Sequence, residues 1–562
     1  MSISNIKLFL FSAIVFLLSS CENYLDPGYD EYLSREEVFS SYKYALQNLR
    51  TVYNYLPGGD NNDIFMSDEG KSTDLRSSVI EMNNGAWTSR NYVGSWYWGH
   101  YYAGIRRAHI FLANVDQAIF IDENTMKATP QVNDYLRIQY KGEVKFLRAF
   151  YYFELLKRFG DPRQNLGVPI LPEKVLTIED AIDFKRNTYD ECVNYILNDC
   201  DSAIKVLPAR WTGTNYGRAS AAAAMALKSR LLLYVASPLA TADDPEKWKL
   251  AAEAAKQVID LNAYKLIDKT TLVADSMLSI FTKPNNDEVI FSGPVTQSNS
   301  FEQSNLPPSY GGGGQINPSQ NLAEAFETGT GYPISDPGSG YRVNEPTYRR
   351  DKRFEYFIGI NGCRINKTGR IESYLTGKDG LDAKSTSTTK TGYYIRKFMD
   401  PNADIQNGRT LATHFWVHFR YAEILLNYAE AMAHAYGVMT VPAGYTLSAY
   451  DAIKMVRDRV SVSSTPLKSL SVDDFIERVK NERRVELCFE GHRFWDVRRW
   501  KDGEKYFNGE LTGLKLTKNA DKTYTYETFV VENRVFDEKM YVMPLPYFEI
   551  QNSKLLQQNT GW

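Results

Sequence analysis

Apolar residues recur every three or four positions over most of this chain, the period of an amphipathic helix. From Arg35 to Tyr55 the stripe is Val38, Tyr42, Leu46 and Leu49. From Trp98 to Ala118 it is Tyr102, Ile105, Phe111 and Leu112, and from Gly142 to Phe159 it is Phe146, Ala149, Phe153 and Leu156. Tyr189 to Val206, Ser220 to Ser237, Trp248 to Leu261, Tyr421 to Tyr436 and Ser448 to Val460 continue the pattern, with Pro238 ending the Ala-rich stretch that starts at Ser220. The spacing predicts a mainly α protein.

Alanines cluster at 221–224 and 226, and again at 251, 252, 254 and 255. Small residues at crossings let helices approach closely. Helices of about 14 residues with Trp, Tyr and Ala at their contacts resemble tetratricopeptide hairpins. The hairpins are not tandem, because long inserts separate them: Leu56 to Tyr97, Leu266 to Thr413 and Lys501 to Val542. Inserts of that length on a compact protein are either functional or unstructured. These are rich in Gly, Asn, Ser, Tyr and Trp with few charge runs, which favours ordered, functional loops. The expectation is a single domain: a tetratricopeptide-like helical-hairpin scaffold carrying long irregular loop inserts.

The N-terminus changes where this body works. An apolar run from Leu8 to Leu18 follows Lys7, and Leu18-Ser19-Ser20-Cys21 has lipobox spacing. Residues 1–20 therefore read as a lipoprotein signal peptide. The run falls short of the roughly 20 apolar residues of a membrane span. The expected mature chain is 21–562, lipid-anchored at Cys21, with Glu22 to Pro27 as a polar tether. Cys192, Cys200, Cys363 and Cys488 form no CxxC pair and read as buried thiols. Acids and bases nearly balance at a formal charge of −3, and nothing in the sequence suggests the clustered basic face a phosphate backbone needs, so no nucleic-acid partner is expected.

Candidate chemistry is sparse. No HExxH, GxxxxGK[ST] or GxSxG occurs. His414 and His418 would share a helix face, but Phe415-Trp416-Val417 between them leans toward a strand, where the two rings stand about 13 Å apart. No metal site is expected there. Asp400-x-Asn402-x-Asp404 opens like a calcium loop but has Ile405 and Leu411 where Gly and Glu belong, leaving room for a structural calcium and no more. No cofactor is expected. Asp68-Glu69 could supply half of a glycosidase carboxylate pair, with its partner unplaced. The segment from Asn481 to Trp500 spaces opposite charges three apart at Arg483/Glu486, Glu490/Arg493 and Asp496/Arg499. It reads as a structural ion-pair network. The insert from Leu56 to Tyr97 sets Trp87 and Trp96 among Asp68, Arg76 and Asn84. Flat rings take the C–H face of a sugar and planar polar groups take its hydroxyls. Those five residues, with Tyr310 beside the glycine run 311–314, are the candidate ligand contacts.

An ordered set of motifs across nearly the whole chain resembles the SusD/RagB family of outer-membrane lipoproteins. They are Cys21, Lys145 to Leu155 followed by Phe159-Gly160-Asp161, Leu232 to Leu239, Arg420 to Ala431, Glu482 to Trp500, and Met543-Pro544-Leu545-Pro546 with the ending Gln558 to Trp562. His109 departs from the pattern, standing where Asn is expected, and reads as a packing change. The resemblance implies a SusD-like fold at the cell outer membrane. It also implies loops that bind an oligosaccharide and a SusC-like TonB-dependent transporter that the protein caps as a lid, with no catalysis. Peptide capture, as in the RagB branch, is the alternative, and a surface hydrolase is the third reading.

Overall fold

The computed structural model describes residues 34–562 apart from 60–61, 75–77, 122–126, 178–179, 181–183, 268–274, 367–368, 404 and 406–409. Cys21 and its tether, Arg76 and Asp404 lie outside the described residues. Helices form where the apolar stripes predict them, and their starts are marked by caps. Ser34 and Glu37 make a capping box ahead of α1 (Arg35–Ser40). The stripe expected as one helix breaks at Ser41, whose extended backbone separates α1 from α2 (Tyr42–Tyr53). α3 is Tyr97–Asn114. α4 runs Pro130–Phe159, twelve residues longer at its start than the apolar stripe shows. Thr129 caps it, and Pro130 occupies the first turn, where a missing N–H costs nothing.

The series continues with α5 (Tyr189–Ile204), α6 (Ala221–Ala236), α7 (Pro245–Asp260), α8 (Tyr421–Tyr436), α9 (Ala449–Asp458), α10 (Val472–Glu486) and α11 (Arg493–Arg499). From α2 to α8, omitting α1, each helix packs on the next, and α8 also packs on α9 and α10. The alanines of α6 and α7 are buried at these crossings. On α4, a Cβ at Gly142 would stand 2.5 Å from Val206, so that approach requires glycine. This is the tetratricopeptide-like frame that the periodicity predicts. Its apolar core runs from Phe39 to Leu545.

The inserts are more regular than the sequence suggests. Gly70–Ser72 pairs antiparallel with Ile316–Pro318, and Val289–Ser292 with Val417–Arg420. The third insert, expected as irregular loop, is an antiparallel ribbon of Gly509–Lys518 and Tyr524–Arg534. Leu516 lies opposite Tyr526, and Leu514 opposite Thr528.

A buried ion-pair network ties the second insert to the frame. Six cations (Arg353, Lys397, Arg420, Arg457, Arg459, Arg478) meet six carboxylates (Glu288, Glu327, Asp351, Glu482, Glu486, Glu490). Glu486 is central: Arg353 and Arg420 reach it at 2.8 and 2.7 Å, and Arg459 also pairs with it. Burial alone would raise its carboxyl, but Arg459, Arg420 and Arg353 together hold it well below the usual range. The network reading of this segment holds, but its expected helical pairing does not. The helix stops at Glu486, and Phe489 and Gly491 take left-handed backbone before α11. Of the three expected i,i+3 pairs only Asp496/Arg499 forms, at 2.8 Å. Arg483 turns to Asp496 at 2.7 Å, Glu490 to Lys397 and Arg420, and Arg493 to Asp68.

Candidate functional site

The structure does not gather the sequence candidates into one site. Trp87 is 2% exposed, its ring 4.2 Å from that of Trp562 and 6.2 Å from that of Tyr92, leaving no face for a ligand. It pins the C-terminus to the frame. Trp87→Ala is therefore expected to cost about 3–5 kcal/mol of stability by opening a core cavity, read by urea unfolding. Tyr310 is 7% exposed, and its hydroxyl donates to the Arg370 carbonyl at 2.7 Å. Burial removes both rings from direct ligand contact. Asn84 is exposed, but its side chain accepts from the Ala86 N–H at 3.0 Å and closes a turn. Trp96 alone is an open ring, 56% exposed and stacked 4.1 Å from Tyr97 with its edge toward His100. Trp98 packs edge-on to Tyr102 and Phe159, as its helix position predicts.

Asp68 is buried and takes guanidinium donors from Arg484 at 2.6 Å and Arg493 at 2.7 and 2.9 Å. Burial opposes its charge, but Arg484 and Arg493 prevail and hold the carboxyl at about 2. An acid held that low donates no proton at neutral pH. Its neighbour Glu69 goes the other way. Burial, then the Asp68 charge, push it up to about 8, and Phe489 gives one N–H at 3.2 Å. A carboxyl raised in the fold favours the protonated native state, so its contribution is full below the unfolded value of about 4.3. It is lost as pH rises through about 8. Glu69→Gln keeps the neutral form. The stability gap between variant and wild type should widen from about pH 5 to 8 and level off above, read by thermal unfolding at each pH. A constant gap would show that Glu69 ionises normally.

The histidines lie on strands, as the residues between them suggest. His414 binds Glu302 at 3.0 Å, and His418 is buried and pushed down to about 3 by burial and Arg230. His109 is buried in α3, consistent with a packing role. Among the described residues no cluster of three metal-ligating side chains occurs. Cys192, Cys200 and Cys488 are buried thiols, whereas Cys363 is half-buried and lines a cleft.

That cleft is the site the structure offers. It holds about 650 Å³, within the range of roughly 300–1,000 Å³ of small-ligand pockets. One wall is the ribbon. Side chains alternate along a strand, so Tyr524 and Tyr526 fall on one face, with Leu516 opposite Tyr526 and Leu514 beside them. The opposite wall comes from the second insert: Tyr348, Phe354, Glu355, Asn361 and Arg364. The floor is the turn at Gly392 and Tyr393. Gly392 has φ +86° and lies so close to the Leu514 carbonyl that a Cβ would meet it at 2.0 Å, so ribbon and floor can close only over glycine. The Leu514 N–H donates to the Thr391 carbonyl at 2.8 Å, and the Leu375 N–H to the Leu516 carbonyl at 2.7 Å, fixing the ribbon in place. Tyr348 carries the Arg342 guanidinium on its ring at 4.1 Å. Tyr524 and Tyr526 are half-buried. Such a surface offers stacking platforms beside planar donors and acceptors, the means of holding a polyhydroxylated ligand.

Sequence reasoning missed this cleft. Its signal was the Tyr524-x-Tyr526 alternation in the third insert, which marks a strand face. Tyr310 takes part indirectly, bracing Arg370 on the strand pair that carries Arg364.

Frame, inserts and cleft define a helical-hairpin scaffold that carries its candidate site on loops. The chain belongs to the SusD family: the profile of that family matches residues 279–562, and one described as starch-binding associating with outer membrane matches residues 23–233. A SusD-like protein, P2, of Formosa agariphila is 25% identical over 86% of this chain and 83% of its own length. The crystal structure of a SusD-like protein from Bacteroides fragilis NCTC 9343 shares 28% identity, with TM-score 0.76 over 93% of this chain and 98% of that one. A SusD-like carbohydrate binding protein of the same strain shares the fold at 23% identity, with TM-score 0.73 over 92% of this chain and all of that one. Among the described residues no helix is long and apolar enough to cross a membrane.

Proposed function

We propose that this protein is a cell-surface glycan-binding lipoprotein of an outer-membrane uptake system. It is anchored through Cys21, captures oligosaccharide in the tyrosine cleft and passes it to a SusC-like TonB-dependent transporter on which it sits as a lid. Family membership supports the outer-membrane placement. The two family matches, over residues 23–233 and 279–562, support reading the chain after the anchor as one SusD-type body. The observation that carries glycan binding is the cleft itself, with Tyr524 and Tyr526 facing Asn361, Arg364 and Arg396. Trp96 is a second open ring, 56% exposed. Asn84 is an exposed polar candidate, and Arg76 lies outside the described residues.

The reading needs no metal, calcium or cofactor, and no turnover. Asp68 is neutralised by arginines, and Glu69, though protonated, is buried away from the cleft's lining residues. The test is a native affinity gel of residues 22–562 against plant, host and microbial polysaccharides, with chain length measured afterwards. Retardation by a polymer of unchanged length is expected. Shortened polymer would make the protein a hydrolase. Retardation by none, with capture from a peptide pool, would make it a peptide carrier of the RagB type.

A further inference from the structure

Arginines in the interior of this protein are mostly paired with carboxylates, as in the Glu486 network. Several around the tyrosine cleft are not. Arg364, in the cleft wall, is exposed and has no ion-pair partner among the described residues. Arg396, also in the wall, spends one N–H on the Glu355 carbonyl at 2.6 Å and meets no carboxylate among the described residues. Arg349 stands 5.2 Å from the Tyr348 ring, again without an ion pair among the described residues. Arg370 lies directly opposite Arg364 across a two-strand ladder, a like-charge pairing that costs stability, and donates to the carbonyl of Gly362 in the cleft wall.

Behind the wall lies Arg350, 8% exposed. It donates to the Pro346 carbonyl at 3.0 Å and to the Ala323 carbonyl, leaves its Nε without a partner, and packs on Phe354 at 4.5 Å. A buried guanidinium with no carboxylate is costly to keep, and burial pulls its affinity for a proton down.

The acids nearby do not cancel these charges. Glu345 is held by Arg342 at 3.1 Å, and Glu372 lies 3.7 Å from Lys378. Glu355 is the one wall carboxylate left without an ion pair among the described residues. Lys518, opposite Tyr524 in the ribbon, adds another cation at the rim. The formal charge of the chain is −3, so this excess is local. Unpaired cations around a cleft lower the potential energy of an anion inside it, and planar guanidinium groups match carboxylate and sulfate oxygens.

We propose that the cleft takes an acidic glycan, one whose sugar units carry a carboxylate or a sulfate ester, with Arg364 and Arg396 on the acid group and Tyr524 and Tyr526 on the ring face. This rests on the glycan reading above and narrows it to a charged class. Arg364 is the specificity-determining residue, because it is exposed and free of structural duty.

The experiment is calorimetric titration of residues 22–562 with five probes. These are oligogalacturonate for the carboxylate, carrageenan oligosaccharide for the sulfate, laminarin and maltooligosaccharide as neutral sugars, and polyacrylate as an anion without sugar. Binding of one acidic sugar is expected, weakening as NaCl is raised and about ten-fold weaker in Arg364→Gln. Thermal unfolding of that variant should match or slightly exceed wild type, because it relieves the like-charge contact with Arg370. Which acidic sugar binds tells carboxylate from sulfate. Binding of a neutral sugar alone, lost in Tyr524→Ala, would overturn the acidic class while sustaining glycan capture. Acidic sugar bound equally by Arg364→Gln and wild type, or polyacrylate bound as well as sugar, would also overturn it. No binding by any sugar would overturn both readings.

Discussion

Glu486→Ala is expected to lower folding stability by about 3–5 kcal/mol, the usual cost of removing one partner from a buried ion pair. Six cations and six carboxylates balance in this network, so deleting Glu486 leaves one buried positive charge uncompensated. Arg353, Arg420 and Arg459 converge on that carboxylate from three parts of the chain. The consequence reaches the cleft. Arg353 lies on the short helix Lys352–Phe357, which also supplies Phe354 and Glu355 to the cleft wall. The variant should therefore lose ligand affinity along with stability. Urea unfolding reads the first and titration with a retained glycan the second. A stability loss under about 1 kcal/mol would mean that the network is not the tie between insert and frame.

The largest effect on function is expected from Tyr524→Ala with Tyr526→Ala. The two rings are neighbours on one face of the ribbon, two residues apart. Aromatic anchors of this kind carry roughly 2 kcal/mol or more each on truncation, without strict additivity. The double variant should bind its glycan about 100-fold more weakly, near 3 kcal/mol. Both rings are half-buried at the surface, so the melting temperature should move little. Trp87→Ala is the complementary control, costing stability at a ring that touches no ligand. If Trp87→Ala abolished binding in a fully folded protein while the tyrosine variant bound normally, the site would lie elsewhere.

The frame was legible because local and tertiary preferences agree there. From Tyr421 to Tyr436 the apolar stripe, the aromatic N-terminal turn and Gly437 after the end give the observed helix to the residue. At Ser41 the same reasoning failed, since one extended residue splits a continuous stripe and no proline or glycine marks it. α4 extends twelve residues ahead of Gly142, where Val132, Leu136 and Tyr140 recur at helical spacing but only Gln139 and Tyr140 are buried, so the apolar stripe there is thin beside the one that follows.

The candidate site was hardly legible. Trp87 and Trp96 sit nine residues apart in similar polar surroundings, yet one is sealed under Trp562 and the other is open. That difference is set by the C-terminal residue, 475 positions beyond Trp87. Asp68 is likewise decided by Arg484 and Arg493, supplied from the far end of the chain. The cleft joins residues 344–364, Ser373, 392–396 and 514–526, and no spacing in a sequence states that segments so far apart meet.

The most direct measurement is a crystal structure of the mature protein with the oligosaccharide that the affinity gel selects. Sugar between Tyr524, Tyr526 and Arg364, with its glycosidic bonds intact, is the result the account predicts. Sugar bound elsewhere with the tyrosine cleft empty would contradict it.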